Sequence, residues 1–387
     1  MSQSPRAFKG VDIFDGSVRH RNHALVIEGD KVVSIIPEDC IDPATRVETL
    51  SGGVLVPGFV DLQVNGGGGA MLNDDPSLEV LQCMAQAHAK LGATSILPTL
   101  ITDRPEKTVA VIDAAISAKS HGIPGVLGLH FEGPHIAENR CGAHDPNFIR
   151  PMTDEDVDIL ADAAQKLPVV KVTMAPELVP PELIARLARA GILVSIGHSD
   201  ATFEQVSQAV AAGARCTTHL FNAMRQMSSR EPGVVGATLS HGELSAGLIA
   251  DGVHVHPSSI QIAQSSKSGP GRMFLVSDAM AVAGTEDEDF KIGDRAVMRR
   301  NGRLSLEDGT LAGADLDQLT AVRNLIRWQI VDQDVAFAMA TSIPADIAGL
   351  SDGAGRLTPG GKANFQHVSI SEQAKGDVWQ CGERITE

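Results

Sequence analysis

From Gly58 onward the chain alternates short apolar runs with longer stretches in which apolar residues recur every three or four positions. The short runs are Phe59–Val64, Thr94–Pro98, Val126–Phe131, Val169–Met174, Ile192–Ile196, Ala214–Thr218, Gly247–Ala250 and Met273–Ser277, eight in all. Their length and β-branched content predict buried strands. Between them a helical period predicts helices over Leu78–Leu91, Glu106–Ser120, Asp154–Leu167, Pro181–Ala190 and Phe203–Ala212, with Thr153 and Thr202 placed as N-caps. Strand–helix alternation is the pattern of a parallel sheet. Eight such units in roughly 230 residues predict an α/β protein built on a closed (β/α)8 TIM-like barrel, not an open doubly wound sheet.

The flanks read differently. Before Pro57 the pattern is of short strands: Ala24–Glu28, Lys31–Ile36 after the Gly29-Asp30 turn, and Gly53–Val56. After the eighth run, Phe290–Leu306 predicts a hairpin turning at Asn301-Gly302, and Leu316–Ile330 and Val335–Leu350 predict helices. The tail from Arg356 to Ile370 returns to strand character. Residues 1–57 and 356–387 are therefore expected to form one small β-sandwich domain from both termini, and residues 58–355 the barrel.

Composition narrows the class. The chain has 387 residues, 43% of them hydrophobic and 21% charged, which excludes a disordered polymer. Acidic residues outnumber basic ones 48 to 32, a formal charge of −16 that disfavours nucleic acid and anionic membrane as partners. No run of 18 apolar residues occurs, and MSQSPRAFKG lacks the apolar core of a signal peptide. The five cysteines are scattered without a CxxC pair, so a reducing, cytoplasmic setting is expected. The acidic run Glu286–Asp289 reads as a solvated loop, and Gly66–Gly69 as a tight turn without a phosphate-loop or dinucleotide signature.

A barrel carries its chemistry at the C-terminal ends of its strands. There the sequence places Gln63 and Asn65, Glu132, His198, His219, Asp251 with His254, and Asp278. Glu132, His198 and His219 come from separate strand ends and fit a catalytic divalent-metal site. Asp278 is the natural proton shuttle beside it. Arg230, in Ser-Ser-Arg-Glu-Pro-Gly, stands among few other basic residues, either as a fork for a phosphate or carboxylate or as an ion-pair partner of Glu231.

The segments PGFVDLQVNGGGG, HFEGPHI, GAHDP, GHSDAT, THLFNAM, REPG, ADGVHV and LVSDAM resemble, in order from about Asp12 to Lys362, the N-acetylglucosamine-6-phosphate deacetylases of the amidohydrolase superfamily. The resemblance implies a barrel with a small β-sandwich, metal-dependent hydrolysis of N-acetyl-D-glucosamine 6-phosphate to the amine and acetate, and a homodimer in which the arginine can come from the neighbouring subunit. It implies Glu132, His198 and His219 as metal ligands and Asp278 as the catalytic acid/base. It implies sugar contacts at Ala143 and His144, and substrate and phosphate contacts at Asn222, Ala223, Arg230, Asp251 and His254. Leu311, Ala312 and Gly313 match a loop lining the same pocket.

The chain also departs from the pattern. Many amidohydrolases carry His-x-His after the first strand, where this chain has Gln63-Val64-Asn65. An amide is a poor replacement for imidazole on a transition metal, so one divalent ion per chain is expected, Zn2+ before Fe2+ or another. The usual LAGS loop reads LAGAD, and the tail reads KANFQHV. Two rival readings are an amidohydrolase for N-acyl amino acids or cyclic amides, and a barrel scaffold without metal. Arg230 with FNAM favours a phosphorylated substrate over the first, and the presence of all four metal-site residues argues against the second.

Overall fold

The computed structural model describes residues 4–370 and 376–386. Eight parallel strands lie in sequential order: β1 (Val60–Val64), β2 (Ser95–Ile101), β3 (Gly128–Glu132), β4 (Val169–Met174), β5 (Leu193–Ile196), β6 (Cys216–Thr217), β7 (Ser245–Leu248) and β8 (Met273–Leu275). The ring closes between its first and last members. The Asp278 N–H donates to Gln63 O at 3.1 Å and the Asn65 N–H to Ala279 O at 2.8 Å. Closure is thus made by the residues that also carry candidate chemistry.

All eight apolar runs are strands, but β7 ends at Leu248 where the pattern predicts Ala250, and β6 and β8 also stop short of the predicted ends. Beyond them the backbone bends into left-handed conformations, with φ +26° at His219 and +53° at Asp278, which a strand cannot continue through. The helices Asp154–Lys166 and Phe203–Ala212 begin in capping boxes at Thr153 and Thr202. Two further helices, Gly233–Ser240 and Pro257–Ser266, follow β6 and β7. Val335–Leu350 is not one helix: it divides into Gln333–Ala340 and Ser342–Ile347 at Thr341, whose φ/ψ of −127°/−90° is non-helical. The predicted hairpin is a three-stranded antiparallel sheet, Asp289–Ile292, Arg295–Arg300 and Arg303–Leu306, because Gly293-Asp294 supplies a second turn.

Strands buried on both faces explain why β4 (VVKVTM) has no exposed residue, Lys171 included. Inside the barrel a hydroxyl and imidazole layer supports the mouth. His130 lies 3.1 Å from Thr99 Oγ1 and 2.7 Å from Thr173 Oγ1, and Thr218 Oγ1 meets Thr173 and Ser195 at 2.6 Å each. His130 and Glu132 are two apart on β3, so the strand period puts both on one face, His130 a layer below.

The small β unit has two sheets. One joins Lys31–Pro37, His23–Glu28, Arg6–Lys9 and Arg46–Thr49. The other joins Glu383–Arg384, Asp377–Gln380, Phe365–Val368, Val54–Pro57, Asp12–Phe14 and Arg19–His20, mixing both termini. Phe8, Phe365 and Trp379 lock them: ring centroids are 4.9 Å apart for Phe8–Phe365 and for the stacked Phe365–Trp379, and 5.3 Å for Phe8–Trp379. Such pairs contribute about 0.5–1.5 kcal/mol each beyond burial. No helix is long and apolar enough to cross a membrane among the described residues.

Candidate active site at the barrel mouth

Three buried side chains from β3 and the turns after β5 and β6 converge. Glu132 Oε1 lies 3.2 Å from His198 Nε2 and 3.0 Å from His219 Nε2, and the two imidazole nitrogens are 3.1 Å apart. His198 and His219 both have positive φ, +48° and +26°, a conformation that costs free energy and is held by the surrounding fold. His198 Nδ1 donates to Arg140 O at 2.8 Å, so its Nε2 carries the lone pair and faces the cluster. Two imidazole lone pairs and a carboxylate crowded this closely repel unless a cation or proton lies between them. The arrangement therefore fits a divalent ion. Burial pushes the Glu132 carboxyl up, but the close approach of the His198 and His219 rings outweighs it and holds the group well below its ordinary range.

Asp278 stands beside this cluster, buried. Its Oδ1 accepts from Gln63 Nε2 at 3.0 Å and Asn65 Nδ2 at 2.7 Å. Burial first, and the Glu132 charge second, raise its pKa. Gln63 and Asn65 thus act as donors to carboxylates. Their oxygens, Gln63 Oε1 and Asn65 Oδ1, are buried without a partner among the described residues.

The cavity above has a volume of about 380 Å3. Glu132, His198, His219 and Asp278 line it, together with Ala143, His144, Asn222, Ala223, His254, Leu311 and Gly313. Three residues expected at the substrate lie elsewhere. Ala312 is wholly buried in the apolar cluster under the three-stranded insertion. Asp251 stands behind His254, its Oδ2 2.6 Å from His254 Nδ1, and its Oδ1 accepts the backbone N–H groups of Val253 and His254. Arg230 is exposed on the loop after β6, outside the cavity. Nor is it paired with Glu231, whose Oε1 instead accepts from the N–H groups of Phe203 and Gly233.

Sequence reasoning missed several walls. Ile292 reaches in from the insertion, and Asn139 and Arg140 from the loop between HFEGPHI and GAHDP. Arg140 is the one Lys or Arg among the described lining residues, and its guanidinium donates twice to Asp200 Oδ1. Asp200 also accepts from Arg225, and the two guanidinium groups bring its pKa down to about 2. Proximity to two motifs was the available signal for Asn139 and Arg140. His88 is structural, bonding Gly66 O at 2.8 Å behind the Gly66–Gly69 turn, where Gly68 and Gly69 adopt φ of +66° and +86°.

The amidohydrolase family profile matches residues 54–380. The chain belongs to the amidohydrolase family. This amidohydrolase is 40% identical over 336 residues to the N-acetylgalactosamine-6-phosphate deacetylase of Shewanella sp., covering 87% of this chain and 84% of that one. It is 34% identical to the N-acetylglucosamine-6-phosphate deacetylase of Haemophilus influenzae, covering 92% and 93%. Among solved structures it resembles a Mycobacterium smegmatis N-acetyl-D-glucosamine-6-phosphate deacetylase variant in complex with N-acetyl-D-glucosamine-6-phosphate, with TM-score 0.88, 28% identity and all of both chains covered. An amidohydrolase requires a divalent metal, and the Glu132–His198–His219 cluster is this one's buried candidate for it.

Proposed function

We propose that this amidohydrolase removes the acetyl group from N-acetyl-D-glucosamine 6-phosphate, giving D-glucosamine 6-phosphate and acetate, within amino-sugar catabolism and cell-wall sugar recycling. The observation that carries the reading is the convergence of Glu132, His198, His219 and Asp278 at one end of a cavity sized for a hexose phosphate. Two relatives that match over more than nine-tenths of their length are N-acetylglucosamine-6-phosphate deacetylases.

Glu132 Oε1, His198 Nε2 and His219 Nε2 would hold one ion, Zn2+ in the first instance. When bound, such an ion would supply Lewis-acid polarisation of the acetamide carbonyl and lower the pKa of the attacking water. Asp278 takes the water's proton and returns it to the sugar nitrogen as the C–N bond breaks. Gln63 and Asn65 hold one oxygen of that carboxylate still during both transfers. His144, whose Nε2 is 3.8 Å from Glu132 Oε2, stands at the acetamide end of the cavity. Its pKa falls to about 3, through burial first and the nearby His198 ring second, so it serves as a neutral hydrogen-bond donor. Ala143, Asn222, Ala223, His254, Leu311 and Gly313 enclose the sugar, with Asp251 and Ala312 behind them. Arg230 reaches a phosphate across a homodimer interface. Residues 58–355 form the catalytic body and the two termini its β-sandwich support. Five free thiols suit a cytoplasmic setting.

The 40% identity to an N-acetylgalactosamine-6-phosphate deacetylase favours a second reading, the C4 epimer as substrate. Acetate release from the two N-acetylhexosamine 6-phosphates, each with and without chelator, tests both. Release from neither would end the proposal. A kcat/KM higher for the galacto sugar would replace the first reading by the second.

A further inference from the structure

Two histidines line the cavity without belonging to the metal cluster, and the structure fixes them in opposite senses. His254 Nδ1 faces a carboxylate oxygen, Asp251 Oδ2 at 2.6 Å. A carboxylate only accepts, so Nδ1 carries hydrogen and a neutral His254 presents a lone pair at Nε2. His144 has the reverse surroundings. The backbone N–H of Thr102 donates to His144 Nδ1 at 3.3 Å, and the Thr102 hydroxyl lies 2.7 Å from the same atom. A backbone N–H cannot aim at a second N–H. His144 Nδ1 is therefore an acceptor, the hydroxyl hydrogen points at it, and the ring proton sits on Nε2.

Thr102 follows the end of β2, and His144 lies in the loop after β3. Both are about 4% exposed, and the Nδ1 edge of the ring faces Thr102 away from the cavity. The hydroxyl has one hydrogen, and the competing acceptor, Glu132 O, is 3.4 Å away against 2.7 Å for His144 Nδ1, so the shorter bond to the ring takes it. We infer that Thr102 is a positioning residue that locks His144 as an Nε2–H donor aimed into the cavity, where it meets the acetamide oxygen as charge develops on it. The catalytic part of this inference rests on the deacetylase reading; the tautomer does not. Outer partners that fix an imidazole's proton are worth about 10- to 100-fold in activity in comparable sites. With two donors on Nδ1 and only the hydroxyl removed, the lower end applies here.

The test compares Thr102→Ser, which keeps the hydroxyl, with Thr102→Ala, which loses it. Both are measured in the Zn2+-loaded full chain at neutral pH. The first readout is nitrogen NMR of 15N-histidine-labelled protein, with His144 assigned by its loss in His144→Gln. Wild type and the serine variant should show an unprotonated Nδ1, and the alanine variant should shift toward a mixture of tautomers. The second readout is acetate release: the alanine variant should lose about 10-fold in kcat with KM nearly unchanged, and the serine variant less than about 3-fold. An alanine variant with wild-type kcat and an unchanged ring would overturn the inference. So would a serine variant as impaired as alanine, since the methyl packing and not the hydroxyl would then matter. Should wild type release no acetate, the deacetylase reading falls, and the nitrogen shifts still decide whether Thr102 sets the tautomer.

Discussion

Glu132 and Asp278 are joined through one nitrogen: Gln63 Nε2 donates to Glu132 Oε1 and to Asp278 Oδ1, each at 3.0 Å. An amide nitrogen has two hydrogens, and here each is committed to a buried carboxylate. The bridge separates two like charges that would otherwise repel, and it gives a glutamine at this strand end a role other than holding metal. With the amide nitrogens turned to carboxylates, only neutral oxygens remain for a second ion, and these are weak ligands for a transition metal. Protein freed of loose ions should hold about one divalent ion per chain, and a strong chelator should remove it together with activity. Elemental analysis that finds two ions per chain after exhaustive desalting would contradict this.

The same bridge makes Asp278 a testable base. Asp278→Asn should lower turnover by at least about 10²-fold while metal content stays near that of wild type. Burial and the Glu132 charge raise the Asp278 pKa. The base works only when deprotonated, so kcat should fall as pH drops through that raised value, with an acid limb above the ordinary aspartate pKa of about 3.9. A variant that turns over normally would move the role elsewhere, and one that loses metal would make Asp278 a ligand.

How far the sequence reveals this site depends on whether a role is set by the strand period or by tertiary approach. The strand runs placed Glu132, His198, His219 and Asp278 at the C-terminal ends of four strands of one ring, because barrel geometry converts position along a strand into position at the mouth. The capping residues Thr153 and Thr202 were legible for a similar reason, since their bonds are local. Thr102, Arg140 and Ile292 were not: each reaches the cavity or its partner from a loop or insertion whose path no local pattern encodes. Lys171 and His130 drew no role from the sequence pattern, yet both are fully buried inside the barrel. The non-local strands Arg6–Lys9, Asp12–Phe14 and Arg46–Thr49 were likewise invisible before their pairing was seen.

Local capping also gives a stability prediction away from the chemistry. Thr153 Oγ1 accepts from the Asp156 N–H, and Asp156 returns a bond to the Thr153 N–H while receiving Arg150. Thr153→Ala should cost about 1 kcal/mol in denaturant unfolding. Burial raises the Asp156 pKa, but Arg150 and then Thr153 outweigh it and leave the group well below the usual range. A depressed folded value means the contribution is present above the unfolded pKa and is lost as pH falls toward the folded one. Between about pH 4 and pH 3, wild type should therefore lose stability that Asp156→Asn does not lose. Parallel pH profiles for the two proteins would refute the assignment.

Arg230 poses the sharpest question about assembly. It is exposed, outside the cavity of its own chain, on a loop held by Ser228, whose hydroxyl donates to Glu231 O at 2.9 Å. Met227 on the same loop is 60% exposed. Within one chain the cavity has only Arg140 as a permanent cation among its described walls, and Asp200 already engages it. The protein carries a formal charge of −16, so a sugar phosphate dianion needs a stronger local donor than one shared guanidinium. A second copy that places its Arg230 at this mouth would supply a fork for the phosphate. Arg230→Ala should then raise KM for the 6-phosphate sugar about 30- to 150-fold, equivalent to roughly 2–3 kcal/mol, and leave the weak activity on the unphosphorylated sugar nearly unchanged. Mixing unfolded Arg230→Ala and Asp278→Asn chains and refolding them together discriminates further. Random pairing makes about half the dimers mixed, each with one site that has both a proton shuttle and a partner's arginine, so about a quarter of wild-type activity should return. No recovery would place Arg230 on its own chain's site, and equal losses on both sugars would show that it holds the loop or the dimer and reads no phosphate.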